Sequence, residues 1–322
     1  MNLAYIADCL LAMKTPVQLV KHFDEVVVKN ITYPLIGQIK YDGVYCLLVK
    51  SGDELQLFSR VGKPLYMENL QGFMQGKLHN LSDGVYIGEL CADNLSLEAL
   101  SGYISPNRKK PWDDVGTLDI GLQGYIMFHD YLTIYELLDG CSVCTYEERE
   151  VRLRERLLRA ELDHYRVLGR MFYNRVEADT YAETLIHEGH EGAVFKHPNA
   201  DWVAGHKGWR VMKIVRGVHL DLLCCGVVYG KGKRAGQIAA LEFTYKGHKF
   251  KADLGKGWTD ERRKELTTNY ELTFDPHTTH DTESNPIGKI WELKALDISS
   301  TGKALHLPKV VRIREDKELP DA

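Results

Sequence analysis

The last third of the chain most limits what it can fold into. Beyond Val215 the sequence breaks into short apolar runs with Gly-rich turns between them, over 220–229, 238–245, 249–253, 290–297 and 309–314. Runs of this length bounded by turn residues read as strands. One helix interrupts them over 259–267, with Thr259 as an N-cap ahead of Asp260 and Glu261. Five short strands in about 105 residues suit a small barrel of the OB type, a fold often used to bind nucleic acid.

Before Val215 the texture differs. Strands are expected over 35–39, 44–49, 55–59, 85–90, 125–131, 192–196 and 209–215, with a further candidate at Val26-Val27-Val28. The clearest helix runs over 146–162, where Val151, Leu157, Leu158 and Leu162 share a face and alternating Glu and Arg cover the rest. The expected architecture is therefore α+β. A domain of antiparallel sheets with flanking helices spans 1–215, and an OB-fold β-barrel spans 216–322. No Pro- or Ser-rich linker marks the boundary, placed near 215–218.

Composition narrows the setting. At 44% hydrophobic the 322 residues are too apolar for a disordered chain. No run of about 18 apolar residues could span a bilayer. Asp8, Lys14 and Pro16 break up the first 20 residues, unlike a secretory leader. Seven unevenly spaced cysteines argue against a disulfide framework and suit a reducing cytoplasm, and Cys141 and Cys144 have no second pair nearby to complete a zinc site. The net charge of −4 argues against a polyanionic partner only if charge is evenly spread. It is not. From residue 215 onward there are 18 basic and 16 acidic residues, against 23 and 29 before it. Within 231–264 ten basic residues face four acidic ones, a local field able to bind phosphates.

The segment Gln38-Ile39-Lys40-Tyr41-Asp42-Gly43-Val44 carries the most chemistry. A lysine at the end of an apolar strand, beside an Asp-Gly turn, sits on rigid backbone. Partial burial or neighbouring cations can free its amine to act as a nucleophile. An ordered series follows: Phe58-Ser59-Arg60, Gly88-Glu89-Leu90, Tyr125 to Asp130, Glu188 to Lys196, Trp209 to Lys213, and Arg314-Glu315-Asp316-Lys317.

In this order the segments resemble the six-motif signature of the covalent nucleotidyltransferases: ATP-dependent DNA ligases, RNA ligases and mRNA capping enzymes. The stretch from Gly255 to Arg262 and the tail from Leu307 to Lys317 look like those of DNA ligase OB domains, with Trp258 where Phe is usual. The Glu-Gly-His-Glu-Gly spelling at 188–192 is similar to the small DNA ligases of tailed bacteriophages.

The resemblance implies ATP as substrate, Lys40 as the nucleophile that becomes lysyl-AMP, and Mg²⁺ near Glu89 and Glu191. It implies that Lys196 and Lys213 meet phosphate charge, that Gln38 and Ile39 lie at the adenine, and that Phe128 or His129 stacks on it. Phe128 is the better stacker. Ser59 and Arg60 would grip the 5′-phosphate of nicked duplex DNA, and Arg314, Asp316 and Lys317 would orient the pyrophosphate. The basic turn Lys231, Lys233 and Arg234 could track DNA phosphates, as could Arg108, Lys109 and Lys110. The expected protein is a cytoplasmic monomer with no separate N-terminal DNA-binding domain, because 39 residues precede Lys40.

Two departures stand out. Tyr45 occupies a position where Arg is usual, placing a ribose or nick contact in question. Val211 replaces the first of two lysines, so either Arg210, one place out of register, compensates or one phosphate contact is missing. A GTP-dependent capping guanylyltransferase, an RNA ligase and a non-catalytic OB-fold DNA-binding protein are the alternatives.

Overall fold

The computed structural model describes residues 1–65, 75–93, 95, 97–104, 124–255, 257–273, 285–295, 297–298 and 305–321. The basic loop at Arg108, Lys109 and Lys110 lies outside these, as does Lys256 of the Gly255–Arg262 stretch. The chain divides into two compact units, Met1–Val215 and Arg216–Ala322.

The first unit is built on two five-stranded sheets. One is ordered Leu19–His22, Lys207–Val215, Gly192–Lys196, Leu35–Lys40, Gly169–Phe172. The other is ordered Pro64–Leu65, Glu54–Ser59, Val44–Ser51, Gly84–Ala92, Gly124–Leu132. All pairings are antiparallel except that of Leu19–His22 with Lys207–Val215, so the first sheet is mixed. The chain crosses between sheets at Tyr41-Asp42-Gly43. Gly43 is required there, because a Cβ would meet Leu90 O at 2.5 Å and Glu89 Cγ at 2.8 Å.

The helix Tyr146–Arg159 opens with a capping box between Thr145 and Glu148 and packs on the Gly124–Leu132 strand. Its buried face differs from the expectation. Tyr146, Arg149, Leu153 and Leu157 are buried, whereas Val151 and Leu158 are exposed. The sequence reading counted every Arg as solvated, but Arg149 finds a buried carboxylate and the helix rotates to present it. The expected strand at Val26-Val27-Val28 is replaced by two 3₁₀ turns, Phe23–Glu25 and Val28–Asn30, with Val27 and Val28 exposed.

The second unit is a closed barrel ordered Val218–Tyr229, Ile238–Tyr245, His248–Leu254, Lys309–Ile313, Ile290–Ala295. The parallel pairing of Asp253 with Lys309, together with the antiparallel pairing of Val218–Tyr229 with Ile290–Ala295, closes it. Closure removes free strand edges. The helix Asp260–Leu272 follows the third strand, with Thr259 accepting from Arg262 N at 3.3 Å as its cap. Leu222, Leu241, Phe243, Leu293 and Val310 fill the interior. This strand–strand–strand–helix–strand–strand order is that of an OB barrel. Among the described residues no helix is long and apolar enough to cross a membrane.

Candidate functional site

The two sheets of the first unit enclose a cavity of about 210 Å³. Strand pairing explains how residues distant in sequence converge on it. Lys40, the last residue of its strand, lies opposite Gly192, and Gln38 lies opposite Val194, which in turn faces Lys213. In the other sheet Tyr45 lies opposite Glu89, and Glu89 opposite Met127. Gln38, Ile39, Lys40, Tyr45, Arg60, Glu89, His129, Lys196 and Lys213 all line the cavity.

Lys40 Nζ donates to Glu191 Oε2 at 2.5 Å, in a half-buried ion pair. Glu191 reaches it because Gly192 follows. That glycine has φ 141°, and any Cβ on it would meet the Ile214 carbonyl. Burial raises the Glu89 carboxyl to about 7; Lys40 opposes the shift, while the charges of Glu191 and Asp42 add to it. Burial lowers Lys213, helped by the charge of Lys40.

Lys196 is buried, at 4% exposure. Its ammonium donates to the His129 carbonyl at 2.7 Å, stands 3.3 Å from His129 Nδ1, and lies 4.3 Å from the centre of the Tyr146 ring. Burial lowers it to about 8, with Asp130 working in the opposite direction. Asp130 is itself held by Arg149 through two hydrogen bonds, Nε to Oδ1 at 2.8 Å and Nη2 to Oδ2 at 3.1 Å. Arg149 Nη1 also donates to the carbonyls of Cys144 and Ala200.

Phe128 is a correction. It is fully buried in the core, edge-on to Tyr86, and does not line the cavity; His129 does. The cause is a β-bulge. Ile87 pairs with Asp130 and Gly88 with Phe128, which leaves His129 unpaired and re-aims its side chain. Of the two alternatives for Val211, compensation by Arg210 is not what the structure holds. Its guanidinium holds Asp201 at 2.7 and 3.0 Å and is absent from the cavity wall, so it does not stand in for the lysine replaced by Val211.

The remaining sites fall elsewhere. Ser59 Oγ accepts from Lys63 N at 3.1 Å, in the turn that carries Arg60. Lys231, Lys233 and Arg234 are exposed on a turn of the barrel. Arg314 pairs with Asp316 through two hydrogen bonds of 2.9 Å and donates to Asp221 at 2.5 Å, while Lys317 donates to Asp221 at 2.9 Å and to Asp321 at 2.5 Å. Asp221, Arg149, Tyr146 and Gln18, the last of which also lines the cavity, were not singled out from sequence. Only Asp130, inside a quoted segment, gave any signal for the buried pair with Arg149.

A lysine at a strand end, facing carboxylates and further cations in a cavity between two sheets, defines the nucleotidyltransferase class, here followed by an OB barrel. The chain belongs to the ATP-dependent DNA ligase family: the model of the ATP dependent DNA ligase domain matches residues 16–214, and that of the DNA ligase OB-like domain matches residues 229–314. A DNA ligase of Methanococcoides burtonii is 27% identical over 303 residues, covering 88% of this chain and 51% of its own length. A DNA ligase of Saccharolobus islandicus is 25% identical over 345 residues, covering 92% and 55%. The chain thus spans about half the length of these relatives. Among solved structures, a Lig E DNA ligase superposes with a TM-score of 0.63 at 15% identity, covering 92% of this chain and 98% of that one. The ATP-dependent DNA ligase of bacteriophage T7 in complex with ATP superposes with a TM-score of 0.52 at 20% identity, covering 94% and 99%. These two likenesses concern the fold.

Proposed function

We propose that this chain is an ATP-dependent DNA ligase that seals nicks between a 5′-phosphate and a 3′-hydroxyl in duplex DNA. The observation that carries the reading is Lys40, set at the junction of the two sheets in a cavity whose walls also hold Lys196, Lys213 and Arg60. Lys40 sheds a proton, for which the Glu191 carboxylate 2.5 Å away is the acceptor at hand. Its amine then bonds to the α-phosphorus of ATP as the bond to the bridging oxygen breaks and pyrophosphate leaves. AMP next passes to the 5′-phosphate of the nick with cleavage of the N–P bond. The 3′-hydroxyl finally displaces AMP and closes the phosphodiester.

Charge develops on phosphate oxygens in each step, and pre-set cations in a dry site stabilise it strongly. Lys196 and Lys213 fill that role, Arg60 with Ser59 holds the 5′-phosphate, and Arg314 and Lys317 orient the pyrophosphate. Glu89 and Glu191 fit a divalent cation such as Mg²⁺. Their oxygens are hard donors, and Glu89 is buried on the cavity wall beside the charges of Glu191 and Asp42. Such an ion, when bound, neutralises phosphate oxygens. The protein is read as a cytoplasmic monomer.

The test is incubation with α-labelled ATP or GTP, followed by sealing of nicked DNA with ATP and Mg²⁺. A covalent adduct with ATP is expected, lost in Lys40→Ala while that variant still binds nicked duplex. An adduct formed with GTP alone would assign the chain to the capping enzymes. Sealing that survives Lys40→Ala would remove Lys40 as nucleophile.

A further inference from the structure

Tyr45, which stands where Arg is usual, meets His129 in space. Tyr45 and His129 have ring centres 6.1 Å apart, tilted by 49°. Both line the cavity. His129 owes its place to the bulge that leaves it unpaired in the strand ladder.

Its ring is fixed chemically as well as sterically. Lys196 donates to the His129 carbonyl and stands 3.3 Å from Nδ1. An ammonium has only donors, so Nδ1 must be the acceptor and the ring proton must sit on Nε2. Nε2 has no hydrogen-bond partner among the described residues, and the ring that carries it lines the cavity. Two charge effects agree with this state. Burial, reinforced by the Lys196 charge, holds the imidazole down at about 3 and therefore neutral, while Lys196 at about 8 keeps its proton at neutral pH.

We infer that His129 meets the nucleotide through a fixed Nε2–H donor aimed at a ribose or phosphate oxygen, and not through the face of its ring. This rests on the nucleotide-binding reading above. A neutral donor beside a buried ammonium suits an oxygen acceptor. It also supplies, with the neutral Tyr45 alongside, a polar contact on a wall that lacks the usual Arg.

Two substitutions separate donor from ring. His129→Gln keeps an N–H near the position of Nε2 and discards the ring. His129→Phe keeps a ring and discards the donor. ATP binding by the full chain, measured by titration calorimetry, is expected to weaken about tenfold in His129→Phe, the worth of one hydrogen bond to a charged acceptor. His129→Gln should weaken it several-fold less. The reverse ranking would make His129 a stacking residue and overturn the inference.

Histidine ¹⁵N–¹H correlation spectra of the nucleotide-free wild-type chain supply a second measurement that depends on no variant. A proton on Nε2 with a bare Nδ1 is expected; a proton on Nδ1 would overturn the inference. If the wild-type chain binds ATP but forms no adduct, the ligase reading fails while the tautomer and the ranking remain to be judged on their own results.

Discussion

The molecule handles its cations in two ways. In the cavity of the first unit Lys196 is buried against a backbone carbonyl, an imidazole and an aromatic ring, and its nearest carboxylate, Asp130, is already engaged by Arg149. In the barrel Arg314 and Lys317 are met by three carboxylates: Asp221, Asp316 and Asp321. The pKa directions record the contrast. Burial lowers Lys196 and Lys213, whereas hydrogen-bonded carboxylates raise Arg314 and Lys317. A lysine disfavoured by burial gains most from an arriving phosphate, so on the ligase reading proposed above part of the folding stability is withheld until nucleotide binds. The tail cations are already met by carboxylates and, on the same reading, would have to exchange partners before they engage pyrophosphate.

The sharpest way to break the contrast is to remove the guanidinium that restrains Asp130. Arg149→Met strands a buried carboxylate, and unfolding by urea should show a loss of about 3–5 kcal/mol. Combining it with Asp130→Asn should recover part of that. A smaller loss in the single variant would mean that water reaches the pair.

Next come the exposed cations, which make no ion pair among the described residues. Replacing Lys231, Lys233 and Arg234 together with Ala should lower the slope of log affinity for nicked duplex against log salt by about 1 per residue, if each meets a phosphate. An unchanged slope would leave the turn a solvated hairpin tip.

The pH dependence of stability should also differ between the units. Glu89 is raised from 4.5 to about 7, so the folded form binds its proton more tightly and stability falls as pH rises across that interval. Lys196 is lowered from 10.5 to about 8, so stability lost by charging it is regained as pH rises above about 8. The first unit without nucleotide should therefore show a melting minimum between about 7 and 8, removed in a Glu89→Gln, Lys196→Met double variant. The barrel, with Asp316 and Asp321 lowered, should lose stability only towards strong acid. A single shared profile would erase the distinction.

Smallest is Asp221→Asn. It removes the acceptor shared by Arg314 and Lys317 and should lower the barrel's melting temperature by about a few degrees. No change would show that Asp316 and Asp321 suffice.

Much of this was legible in the sequence, and the failures have physical causes. The strand over 192–196 and the Thr259 cap follow from local chemistry, because turn residues and alternation act over a few positions. Placing Phe128 or His129 required the register of the Gly124–Leu132 strand, and one bulge shifts which side chains face the cavity. Arg149 and Asp221 escaped notice because a charge is expected at the surface unless a partner is known. Their partners lie 19 and 93 positions away in the chain.

The pairing of Leu19–His22 with Lys207–Val215 has one more consequence. Lys21 and His22 sit against Met212 and Lys213, so the ladder that carries Lys213 joins opposite ends of the first unit. Contacts this remote in sequence form slowly, because a long loop must close before any of them is rewarded. The cavity is therefore expected to be among the last parts of its unit to assemble during folding. ATP protection in a refolding time course should lag behind formation of the Glu54–Ser59 hairpin, whose strands are neighbours in the chain.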